Sequence, residues 1–183
     1  MKIGIDISQC VYEGTGVGEY TVKLVTHLIK TSQKKEYVLF FSNRRIKIRN
    51  PNFEILNNLE SQNANVKIKS FTIPIPVLEF LWNRLHIVPI EWLIGSVDVF
   101  VTSDWLEPPA SRAKKVTTIH DLSVLKFPDA YDDRISHVHR RKLKWVSQES
   151  DIIMCDSKAT KQDAIDLLGI AKERLKVVYL GIQ

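Results

Sequence analysis

Three glycines stand at alternate positions in Glu13-Gly14-Thr15-Gly16-Val17-Gly18-Glu19, between a first apolar run and an amphipathic stretch. Gly14, Gly16 and Gly18 make a loop through which backbone N–H groups and the positive end of the next helix can approach a phosphate, an attraction of about 0.3 to 1 kcal/mol per exposed contact. The dinucleotide fingerprint G-x-G-x-x-G is not met, because Gly14 and Gly16 would need a third glycine where Glu19 stands. The competing reading is a plain strand-to-helix turn, glycine being also the usual answer to a positive φ angle. The second candidate is Thr117-Thr118-Ile119-His120-Asp121-Leu122, in which a histidine and an acid follow a β-branched run. His120 can donate a hydrogen bond to a substrate hydroxyl or exchange protons near neutrality. Its alternative is structural: Asp121 caps the next turn while His120 satisfies a backbone carbonyl.

Other chemistry finds less support. The sequence holds no G-x-S-x-G and no Walker loop, which removes the commonest hydrolase and nucleoside-triphosphatase signatures. His137 and His139 are two residues apart, a spacing that turns them to different sides of a helix, so no shared metal is expected. His139 falls within an apolar stripe and reads as a hydrogen-bonded, partly buried side chain, whereas His27 reads as solvated. Cys10 and Cys155 lie in or beside apolar strand segments without a C-x-x-C or Cys/His cluster. Inert buried thiols, a reducing compartment and no structural zinc are the expectation.

The elements that must hold these residues are legible as short apolar runs: 2–7, 36–41, 66–71, 97–101, 116–119, 152–155 and 176–179. YVLFF is continuously apolar, and VDVFV and DIIMC are so apart from one aspartate each, as expected where helices cover both faces of a parallel sheet. Amphipathic stretches at 19–30, 132–149 and 158–168 supply the helices. The stripe of the second comprises Ile135, Val138 and Val146, and the third has Ser157 as its N-cap and Gly169 at its end. The polar run 57–65, NNLESQNAN, reads as a loop. The pattern is that of a doubly wound, mostly parallel α/β domain, in which ligands sit beyond the carboxyl ends of the strands. The glycine loop and His120 both project toward that edge.

The chain has 183 residues, 44% hydrophobic and 26% charged, in keeping with one globular domain able to build a core without staples. A net charge of +5 favours anionic partners. The basic clusters 44–49 and 139–144 are not accompanied by any nucleic-acid motif, so they read as solvated faces and nucleic acid is not expected. Asp6 interrupts what would be a signal peptide's apolar core, which favours the cytoplasm. The apolar stretch from Phe71 to Gly95 is broken by charges and prolines and falls short of the roughly 20 residues a membrane span needs. Within it, Leu78, Phe80, Leu81, Trp82 and Leu85 can either pack into the core or join the basic clusters on an anionic membrane surface.

GIDISQCVYEGTGVGEYT at the start, VTTIHDLSVLKFPDAY in the middle and SDIIMCDSKATKQDAIDLLGI followed by KVVYLGI resemble group 1 (family 4) glycosyltransferases, particularly their mannosyltransferase-like members. The resemblance covers essentially the whole chain, in order. It implies the N-terminal, acceptor-side Rossmann-like half, residues 1–183, of a two-domain GT-B enzyme with its active site in the cleft between domains. The C-terminal nucleotide-sugar-binding domain, with its E-x7-E motif, is absent from the sequence, so the isolated chain is expected to be inactive. Such enzymes transfer a sugar from a nucleotide-diphosphate donor to a saccharide or lipid-linked acceptor with retention, without a metal or other cofactor, as in polysaccharide biosynthesis. On that resemblance Gly14, Gly16 and Gly18 face the donor's diphosphate and sugar, His120 contacts the transferred sugar, and Asp121 shapes the loop beside it. The alternative from another class is a non-catalytic Rossmann-like module that binds an anionic lipid or a partner domain.

Overall fold

The structure is a computed structural model and describes residues 1–43 and 50–181. Seven strands, β1 (Lys2–Asp6), β2 (Glu36–Ser42), β3 (Val66–Phe71), β4 (Val99–Val101), β5 (Lys114–Ile119), β6 (Ile152–Cys155) and β7 (Leu175–Val177), form one sheet in the order β3-β2-β1-β4-β5-β6-β7. Every pairing is parallel. The expected doubly wound, Rossmann-like domain is therefore present, and its strand order reverses between β1 and β4. Each strand expected from an apolar run is found, with ends displaced by at most two residues.

Helices α1 (Gly16–Thr31), α2 (Pro51–Gln62), α3 (Ile75–Leu78), α4 (Glu91–Ile94), α5 (Ser123–Lys126), α6 (Asp133–Glu149) and α7 (Lys158–Leu168) connect the strands. The side chains of β2 show why both faces need cover. Tyr37, Leu39 and Phe41 pack with Val25 and Ile29 of α1 and Phe53 and Leu56 of α2, whereas the alternate residues Val38 and Phe40 pack with Trp82 and Ile94 on the other face. A third core holds Ile119, Leu143, Val146, Ile153 and Ala164 between the last strands, α6 and α7. Burying a side chain of this size stabilises the fold by about 1.5 to 3 kcal/mol, so the three clusters rather than local propensity set the architecture.

Three expectations are corrected. Residues 57–62 of the polar run are helical, because Asn50 accepts the Phe53 N–H at 2.9 Å as N-cap, Pro51 starts the first turn, and Phe53, Leu56 and Leu59 form a narrow buried stripe. Asn57 and Asn58 occupy its exposed side. In α6, Val138, Leu143 and Val146 are buried, but Ile135 is 36% exposed, and the basic cluster is not a solvated face throughout. Arg140, Arg141 and Lys144 are exposed, while Lys142 is only 2% exposed. The other basic cluster, 44–49, lies outside the described residues.

The segment between β3 and β4 is irregular, with a π-helical turn over Glu79–Arg84 and positive φ angles at His86 and Val88. Leu78 and Trp82 are buried in it, but Phe80, Leu85, Ile87 and Trp92 remain exposed. Beneath it lies an ionic cluster: Lys115, at the start of β5, pairs with the fully buried Glu107 at 2.8 Å and with Glu149 at 3.0 Å. Glu149 also accepts from His86 Nε2 at 2.8 Å, and the His86 ring stacks on Trp145.

Candidate functional site

The carboxyl ends of β1, β4, β5 and β6 open into two adjoining depressions. A cavity of about 180 Å3 is lined by Val17, Asp104, His120, Asp121, His139 and Lys142 among others. A wider groove of about 580 Å3 runs past Gly16, Tyr20, Lys23 and Asp156 toward Val178, Tyr179 and Leu180. The site therefore lies where the order of the strands reverses and extends toward β6.

The loop after β1 sorts its three glycines by what their backbones require. Gly14 has φ +74° and turns the chain. The Thr15 hydroxyl caps α1 by accepting the Gly18 N–H at 3.2 Å. A Cβ on Gly18 would stand 2.8 Å from the Tyr12 carbonyl oxygen and 3.0 Å from that of Gln9, so close packing against the turn Ser8–Val11 demands glycine there. Gly16 differs: it begins α1, and a Cβ added to it would meet nothing within 4 Å. Nothing in the packing of the described residues demands a glycine at 16, and its bare backbone faces the groove.

His120 follows β5 directly and is held from two sides. Its Nδ1 lies 2.7 Å from Asp156 Oδ2, and the edge of Tyr20 meets its ring at a centroid separation of 4.8 Å. An ionised carboxylate only accepts, so Nδ1 carries the proton it donates, and Nε2 is left for a ligand. Behind the ring, the backbone carbonyl of His120 accepts from the Thr160 hydroxyl at 3.1 Å. Ser157 caps α7 by accepting the Thr160 N–H at 3.0 Å, as expected, so the cap also fixes the residue that anchors His120. Asp121 accepts from both the N–H and the hydroxyl of Ser123 and so shapes the turn into α5. Partial burial pushes its carboxyl up, but the two Ser123 bonds and the neighbouring histidines outweigh this and hold it below the usual carboxylate range.

Asp156 is the residue that the sequence reading missed. Ile119 pairs with Cys155 across β5 and β6, so the next residues, His120 and Asp156, leave neighbouring strands side by side. The signal was available once both strand ends were placed. Asp6, Asp104 and Lys142 were also passed over. Asp6 is buried at the end of β1, where burial pushes its carboxyl up against the pull of Ser8, Ser103 and the Lys142 charge. His139 is half-buried as expected, but it makes no hydrogen bond among the described residues and meets Trp105 edge-on at 5.2 Å. Burial pushes its pKa down, leaving an uncharged ring at neutral pH.

The remaining candidates are inert. His27 is exposed, and among the described residues its ring bonds the Lys23 carbonyl alone. Cys10 and Cys155 are buried, and burial pushes their thiols up to about 12 and about 11. Among the described residues no group of three or more His, Cys, Asp or Glu side chains is placed to hold a metal ion. Nor, among them, is any helix long and apolar enough to cross a membrane.

The model described as Glycosyltransferase Family 4 matches residues 14–183. Among solved structures, the chain is similar to a short-chain dehydrogenase from Oenococcus oeni PSU-1, with 12% identity and a TM-score of 0.37 over 96% of this chain and 76% of that one. No curated protein matches it. The matched residues take in the glycine loop, His120, Asp156 and the last six strands, and on that match the chain belongs to glycosyltransferase family 4.

Proposed function

We propose that this glycosyltransferase domain is the acceptor-side half of a two-domain GT-B enzyme that moves a sugar, mannose being the first to test, from a nucleotide diphosphate to a saccharide or lipid-linked acceptor with retention. The observation that carries the reading is His120 held by Asp156, whose carboxylate lines the same groove as the uncrowded Gly16, while the His120 Nε2 has no hydrogen-bond partner among the described residues. An aspartate on Nδ1 fixes the ring's tautomer and steadies positive charge on it, which suits Nε2 to hydrogen-bond a sugar hydroxyl as the glycosidic bond to the diphosphate breaks. The amino end of α1 then favours the charge that grows on the diphosphate. No protein nucleophile is needed, since the leaving phosphate can take the acceptor's proton. Exposed apolar side chains in the segment 74–93 support a second element of the reading, peripheral attachment to an anionic membrane, where a lipid-linked acceptor would be met.

The test uses the enzyme completed by its nucleotide-sugar-binding domain. His120→Ala should lower kcat and kcat/KM together by roughly 10²-fold or more, as for other losses of a transition-state hydrogen bond, with the melting temperature unchanged. Asp156→Asn, which offers an N–H to Nδ1 and displaces the proton, should follow it. Wild-type kinetics in both variants would overturn the assignment and leave the non-catalytic module.

A further inference from the structure

We propose that Lys142 and Asp104 form a clamp for one hydroxyl of the acceptor and thereby select a neutral, polyhydroxylated acceptor over one carrying phosphate or carboxylate at that position. The inference rests on the transferase reading above for the word acceptor, but not for the chemistry of the clamp. Lys142 reaches from α6 into the cavity of about 180 Å3 and is 2% exposed, yet its ammonium group has no hydrogen-bond partner among the described residues. Its counter-charge, Asp104 Oδ1, lies 4.0 Å away, beyond hydrogen-bond distance, and Asp104 likewise has no hydrogen bond among the described residues. An ammonium group that faces a cavity and finds no acceptor within hydrogen-bond distance on the protein can take one from a ligand.

The gap specifies what fills it. A hydroxyl oxygen placed about 2.8 Å from each group accepts from Lys142 and donates to Asp104, completing both with one atom. A phosphate or carboxylate satisfies only the lysine. It would also face Asp104 and Asp121 in the same cavity, where burial favours the uncharged form of the His139 ring. Two carboxylates against one ammonium make the cavity unfavourable to an anion and favourable to sugar hydroxyls, which donate as well as accept. His120 lines the same cavity, so a sugar seated on the clamp lies next to the group assigned to transfer.

The experiment measures ligand binding by saturation-transfer NMR on the full chain, with the methyl α-glycosides of glucose, mannose and galactose as neutral probes and glucose 6-phosphate and inorganic phosphate as anionic ones. At least one neutral glycoside should bind. Lys142→Met and Asp104→Asn should each weaken that binding by about tenfold, the loss of one charged hydrogen bond. Asp104→Asn should in turn improve binding of glucose 6-phosphate, and this second variant keeps the test sound if Lys142→Met fails to fold. Preference of the wild-type chain for either anionic probe, or glycoside binding unchanged in both variants, or no glycoside binding at all, would overturn the clamp. Glycoside binding that depends on the clamp, together with unaltered transfer by His120→Ala in the completed enzyme, would instead retain the sugar site and discard the transferase role of His120.

Discussion

Gly16 and Gly18 are two residues apart and answer different demands. Gly18→Ala forces a methyl group against two backbone carbonyls and should destabilise the chain by about 1 to 3 kcal/mol in denaturant unfolding, the usual effect of overpacking. Gly16→Ala adds its methyl to open space and should leave stability within about 0.5 kcal/mol while raising the donor KM of the completed enzyme. Equal stability losses would show that Gly16 is also a packing glycine. Asp6 makes a prediction about pH. Its pKa is raised in the folded chain, so the folded form keeps a proton that the unfolded form has released. Below the ordinary carboxylate range both forms are protonated and nothing is lost; as pH rises from that range through the folded value, stability falls. Asp6→Asn lacks this loss, so its melting temperature should gain on the wild type from acid toward neutral pH, and the opposite trend would mean that Lys142 holds Asp6 ionised. His120 and Asp121 could be read from sequence because they directly follow a β-branched run, which fixes where they emerge. Asp104 and Lys142 could not, since Lys142 stands in a basic run that reads as a solvated face, and nothing in the periodicity of α6 tells which loop will come within 4.0 Å of it.

The crossover from β4 to β5 and the end of α6 meet through Lys115. Lys115→Met would leave Glu107, with no exposed surface, as an uncompensated buried charge, and should cost about 3 to 5 kcal/mol in urea unfolding. The double variant with Glu107→Gln should recover much of that loss, and a double variant no better than the single would mean that packing of the lysine stem, not charge, is what Lys115 supplies. Strands were easier to read than helices here for a physical reason. A strand buried on both faces must be apolar at every position, as YVLFF is, whereas α2 buries only Phe53, Leu56 and Leu59 and leaves a polar surface that resembles a loop. Its start was nevertheless marked, by an asparagine cap and a proline in the first turn. The segment of α3 and α4 had no such marks, because a π-helical turn and left-handed residues at His86 and Val88 follow no single period.

At the scale of the molecule, the +5 charge and the exposed Phe80, Leu85, Ile87 and Trp92 predict salt-sensitive binding to vesicles. Sedimentation with anionic vesicles at low ionic strength should pull the chain down and release it as salt is added, and equal partition onto neutral vesicles would remove the membrane reading. The order of the sheet has a further consequence, for the route by which it folds. β2 and β3 pair with neighbours close in the chain, as do β5, β6 and β7, but β1 joins β4 with Ile3 opposite Val99, closing the longest loop in the sheet. Loop-closure entropy disfavours that seam most, so the two halves are expected to gather first and dock along it. Asp6 lies on one lip of the seam and Asp104 just beyond the other. The cavity beside Asp104 and His120 is then completed only when the halves dock, and slower amide-hydrogen exchange in β1 and β4 than in the outer strands is the expected sign of that assembly.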